Sequence, residues 1–97
     1  MYKIDRQGPI FMLTFKGLIQ KEEAWRWYED SYIELQTAPP SFDVIVDMRE
    51  LTPLSSECQE IIFKGQQLYR DNGMKRSAVI VTNSVNSYLF KRLAQKS

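Results

Sequence analysis

Three sets of side chains have the types and spacing to do chemistry. The first is Asp47, Arg49 and Glu50, two carboxylates and a guanidinium just beyond the hydrophobic run Val44-Ile45-Val46. Two carboxylates this close could divide acid and base roles between them. No nucleophile or metal partner stands beside them in the stretch, which argues against catalysis there. Asp47 and Arg49 then form either part of a ligand rim or a surface ion pair. The second set is rich in hydroxyls: Ser55 and Ser56 before one expected helix, and Thr82, Asn83 and Ser84 before another. Such residues either cap a helix or stand beside its free backbone N–H groups, where an anion can bind. The third is Cys58, one turn into its expected helix. The positive helix end could lower its pKa, or the thiol could serve as a small buried hydrophobe on the apolar stripe.

The chain contains no histidine. That removes the Ser-His-Asp and Cys-His nucleophile systems, histidine general bases and nearly every type of zinc site. A single cysteine forms no internal disulfide. The expectation is a binding protein rather than an enzyme, with no cofactor and no metal.

The elements that must position these groups are legible from hydrophobic periodicity. Tyr2 to Gln7 and Ile10 to Phe15 are two strand-like runs separated by Gly8-Pro9, which predicts a hairpin. From Gln20 to Thr37 the period becomes helical, with Ala24, Tyr28, Ser31 and Leu35 on one stripe, flanked by Trp27 and Tyr32. Pro39-Pro40 ends it, because the residue before proline disfavours the helical region. Phe42 to Met48 reads as a short parallel strand buried on both faces. A second helix begins near Ser56, with Gln59 three residues on as a capping box, and closes at Asn72-Gly73. Its inward stripe is Cys58, Ile61, Ile62, Gly65, Leu68 and Tyr69. Ser77 to Thr82 is a further buried strand. A third helix follows Asn83–Asn86, with Leu89, Phe90, Leu93 and Ala94 inward.

The order β-β-α-β-α-β-α predicts an α/β fold: a small mixed sheet of about four strands, hairpin plus parallel strands, with three helices. Helices joining neighbouring strands require right-handed parallel crossovers. In open α/β sheets ligands bind outside the carboxyl ends of the strands, which is where Asp47, Arg49, Glu50, Thr82, Asn83 and Ser84 are expected to gather.

A length of 97 residues with 43% hydrophobic side chains suits one domain over residues 1–97. No run is long enough to span a bilayer, and Met1 to Arg6 is too charged to open a secretory signal, so the default compartment is the cytoplasm. The net charge of +1 is a cancellation: residues 1–63 carry −5 and residues 64–97 carry +6. Lys64, Arg70, Lys75, Arg76, Lys91, Arg92 and Lys96 make the second part basic. Without a recognition motif they do not indicate nucleic acid. Trp25, Trp27, Tyr28 and Tyr32 crowd eight residues of the first helix on more than one face. They offer a partner surface or the wall of an apolar pocket, or pack against the hairpin or a further element.

The leading hairpin, the helix, and a hydrophobic strand ending in Asp47-Met48-Arg49-Glu50-Leu51 resemble the SpoIIAA-like or STAS-like domains, in particular the small bacterial STAS/SEC14-like proteins. The resemblance covers nearly the whole chain. In anti-sigma-factor antagonists of this class a phosphorylatable Ser or Thr follows the corresponding strand, in an Asp-Ser-[Ser/Ala]-Gly motif. Here only Asp47 matches, and Ser55 or Ser56 is analogous by position. The resemblance also implies one more terminal element than this chain contains. It implies a non-catalytic regulatory module that docks a protein or a small anionic ligand at Asp47, Arg49, Glu50, Ser55, Ser56, Thr82, Asn83 and Ser84. The alternative is a carrier or sensor of a lipid-like molecule held between the aromatic first helix and the sheet. Homodimer formation stays open.

Overall fold

A computed structural model describes residues 1–81 of the chain. The elements are β1 (Tyr2–Gln7), β2 (Ile10–Gly17), α1 (Lys21–Leu35), β3 (Phe42–Leu51), α2 (Ser56–Asp71) and β4 (Met74–Ile80). β1 and β2 form the expected hairpin, with Gln7 opposite Ile10 across Gly8-Pro9. β2, β3 and β4 run parallel, and the spatial order is β1-β2-β3-β4. Two helices belong to the described residues. The expected third helix lies outside them, as do Thr82, Asn83 and Ser84.

A strand order that follows the chain order, joined by right-handed crossovers, carries both helices to the same face of the sheet. α1 and α2 pack side by side there. Facing them, β2 contributes Phe11, Leu13 and Phe15, and β3 contributes Phe42, Val44, Val46 and Met48, all buried. The intervening Asp43, Ile45 and Asp47 are only half-buried. This corrects the expectation of a strand buried on both faces: among the described residues, helices cover one face only, so burial alternates with the pleat. Among the described residues β4 lies at the edge of the sheet and is largely exposed rather than buried, and it begins at Met74, paired with Phe42, three residues earlier than expected.

β3 also runs three residues past its expected end. Asp47 pairs with Thr14 and Glu50 with Lys16, so Met48 and Arg49 together oppose Phe15 alone. This bulge shifts the alternation by one residue. Met48 and Leu51 both point into the core, and Arg49 and Glu50 are left in solvent.

The buried stripe of α1 is Ala24, Trp27, Ser31 and Leu35. Trp27 takes the place expected for Tyr28, which is half-buried. The reason lies on α2. A Cβ at Gly65 would stand 2.1 Å from the indole carbons Cη2 and Cζ3 of Trp27, so the ring occupies the space that a side chain at position 65 would need. Phe15 meets Trp27 edge-on at 5.3 Å and Tyr69 stacks on it at 6.3 Å. Phe11 meets Phe42 and Tyr69 edge-on on the other side. Each such pair contributes about 0.5–1.5 kcal/mol beyond area burial.

The start of α2 differs from expectation by one residue. Ser55 is the N-cap, its Oγ accepting the Cys58 N–H at 3.2 Å. Ser56 is the first helical residue, so Cys58 occupies the position a capping box would need for an acidic or amide side chain. Gln59 instead donates its Nε2 to the Leu54 carbonyl. The helix closes at Asn72, and Gly73 takes φ +117°, with the Pro40 carbonyl oxygen 2.3 Å from where a Cβ would sit. Glycine at this position lets the α2–β4 turn press against the Pro39-Pro40 link.

Candidate functional site

The rim at the carboxyl end of β3 is held together by its own contacts. Asp47 Oδ1 accepts from the backbone N–H and the Nε of Arg49, both at 3.1 Å, and Oδ2 accepts from Nη2 at 2.9 Å. These bonds hold the Asp47 carboxyl below the ordinary carboxylate range and raise the Arg49 guanidinium. An acid stabilised as its anion is poorly suited to donate a proton at neutral pH. Glu50 pairs with Lys16 at 3.4 Å. The Ser55 hydroxyl is committed to its cap, and Ser56 is exposed. The strand order never reverses, so among the described residues the sheet lacks the switch point that opens a crevice in doubly wound folds. Nor do three Cys, Asp or Glu side chains converge on one point there.

Cys58 is 1% exposed and donates its thiol to the Ile19 carbonyl at 3.2 Å, so it ties the β2–α1 link to α2. The aromatic cluster of α1 divides. Trp27 is 2% exposed and belongs to the core, not to a surface. Trp25 and Tyr28 are half-buried and meet edge-on at 5.6 Å, with the Lys64 ammonium over the Trp25 ring. Tyr32 alone of the four is well exposed. Of the basic residues, Arg76 is paired with Asp43 at 2.8 Å. Lys91, Arg92 and Lys96 lie outside the described residues.

A second site lies between the helices and the sheet. It is a cavity of about 90 Å³. Leu13 and Phe15 of β2 with Val44, Val46 and Met48 of β3 form its floor. Trp27 of α1 and Ile62, Gln66 and Tyr69 of α2 form its roof. Arg70, Met74 and Ser77 line it where it nears the sheet edge at β4, and of these Arg70 and Ser77 are exposed. Two polar atoms of its lining residues, Trp27 Nε1 and Gln66 Oε1, are buried and find no hydrogen-bond partner. Leaving a buried donor or acceptor unmatched costs about 1–3 kcal/mol each. Among the described residues, other buried side-chain polar atoms find partners: Tyr69 donates to Ser31 Oγ at 2.8 Å. The indole is fixed by Gly65, Phe15 and Tyr69, so its N–H has little freedom to seek a partner.

Sequence reasoning offered an apolar pocket beside the aromatic helix as one alternative among several and did not single out Gln66. Its one signal is a polar side chain next to the inward Gly65, which is indistinguishable by spacing from a solvent-facing glutamine.

No protein-family model matches the chain, and no curated protein does. A solved structure, that of a protein called Mglu, superposes on 84% of this chain with a TM-score of 0.62 at 18% identity. The chain spans about a fifth of that protein's length, 19%. At this identity the likeness establishes a shared small α/β fold. No helix among the described residues is long and apolar enough to cross a membrane.

Proposed function

We propose that the chain is a STAS-like, non-catalytic binding module that holds a small, largely apolar molecule in the cavity between α1, α2 and the sheet. The observation that carries this reading is the pairing of apolar walls with two buried, unpartnered polar atoms on residues of the same cavity. Ligand pockets are apolar concavities with a few fixed polar groups, and this is one on a small scale. The STAS-like assignment is supported by the hairpin, the two parallel crossovers and the Asp47-Met48-Arg49-Glu50-Leu51 end of β3. A regulatory role in a bacterial cytoplasm belongs to the same reading. Docking of a protein or an anion on the strand-end rim ranks below it, because Asp47, Arg49, Glu50 and Ser55 already engage one another or their neighbours.

Titrating the ¹⁵N-labelled chain with toluene and with phenol tests the assignment. Saturable shifts at Leu13, Trp27, Ile62 and Tyr69 are expected. Shifts confined to residues 47–56, or none at millimolar probe, overturn it.

A further inference from the structure

The charge on the cavity wall narrows the ligand's chemistry, an inference that rests on the cavity reading above. Among the described residues that line it, Arg70 alone is charged, and neither Asp nor Glu joins it there. Arg70 follows Ile62 and Gln66 at four-residue steps along α2, so the three share one stripe of the helix. It stands at the end of that row, where the lining becomes exposed. Among the described residues no carboxylate pairs with its guanidinium. Ser77 lines the same end and is exposed there. It is in register with Val44, and partners in register project from the same face of a sheet, so Ser77 stands on the cavity side of β4.

A guanidinium only donates hydrogen bonds, through a planar fork that matches the two oxygens of a carboxylate. The Ser77 hydroxyl can supply a further donor. An ammonium would meet the like charge of Arg70, and a wholly apolar molecule gains nothing from it. We infer that the cavity takes a small amphipathic carboxylate, its anionic head at Arg70 and Ser77 in the mouth and its apolar body against Val44, Val46 and Ile62. Size agrees with this division. A closed apolar cavity of roughly 150 Å³ holds benzene, and this cavity offers about 90 Å³. A few carbons or part of a ring therefore fill it, and the head group is left at the mouth. Water reaches the mouth, so the charge is bound without the cost of full burial.

The test compares benzoate with benzamide, a neutral molecule of the same shape, at neutral pH. Binding is read from the ¹⁵N spectrum at Val44, Ile62, Tyr69 and Ser77. Benzoate should bind about tenfold more tightly, since its hydrogen bonds to Arg70 join two charged groups. Arg70→Gln should bring the two affinities together, and Arg70→Met provides a second variant if the first does not give a dispersed, native spectrum. Equal affinities in the unaltered chain, or a preference for benzoate that survives the substitution, overturn carboxylate recognition. Toluene that shifts the same residues then leaves the apolar cavity reading intact. Binding of none of the three probes overturns both.

Discussion

The Tyr69 hydroxyl donates to Ser31 Oγ at 2.8 Å, across the contact between α2 and α1. Ser31 is fully buried, and burial pushes the Tyr69 hydroxyl up to about 12. A serine on the buried stripe of a helix is thus a partner for a buried phenol and not a defect in the pattern. Ser31→Ala leaves the Tyr69 hydroxyl without a partner and should cost about 1–3 kcal/mol. Tyr69→Phe alone should cost less, and the double variant should fall short of the sum of the two. Urea unfolding midpoints of the three variants check this.

Gly65→Ala should destabilise the chain even though alanine favours helix over glycine by about 1 kcal/mol. A Cβ there falls 2.1 Å from two indole carbons, so Trp27 must leave its place between Phe15 and Tyr69. Overpacking of this kind costs about 1–3 kcal/mol. Thermal unfolding together with the Trp27 indole signal reads both the loss and the displacement.

Ser55 and Ser56 should respond differently to alanine. Ser55→Ala removes the hydroxyl that accepts the Cys58 N–H and should cost about 1 kcal/mol. Ser56 sits at the first helical position, exposed, and Ser56→Ala should change stability by less than about 0.5 kcal/mol. Equal losses would mean that the helix starts one residue later than described.

Acid should weaken the fold through Asp47 and Asp43. Hydrogen bonds from Arg49 and Arg76 hold these carboxyls below their ordinary value of 3.8. A depressed carboxylate contributes stability above its unfolded pKa and loses it as pH falls through the folded one. The loss therefore begins near pH 5 and continues below 3.8. Asp47→Asn should flatten that part of the pH–stability curve, and salt should reduce the difference, because the pair is near the surface. A curve unchanged by the substitution would show that other carboxylates dominate acid unfolding.

Much of the architecture was legible from local pattern. Period-two and helical spacing located all six described elements, the Gly8-Pro9 link and the close of α2 at Gly73. These features depend on interactions within a few residues, which one chain displays directly. Boundaries moved where pairing with another strand decided them: β3 continued to Leu51 because a bulge at Met48-Arg49 let it keep pairing with β2, and β4 began at Met74 opposite Phe42. Of the candidate site, Asp47 and Arg49 were read together and do meet, but as partners of each other. Gln66 escaped notice because its value lies in what stands opposite it.

By itself the sequence determined which residues are apolar, in what period, and that no histidine is present for catalysis. It narrowed the fold to a mixed α/β sheet. Only the tertiary structure decided that Trp27 lies inside while Tyr32 lies outside, since the two share a helix and the space for the Trp27 ring is left by Gly65 of the helix beside it. Only the tertiary structure placed Trp27 and Gln66 on the lining of one cavity, across 39 positions of chain. Spacing along a helix specifies a face. Whether that face meets a side chain, a glycine or a cavity is settled by the element packed against it.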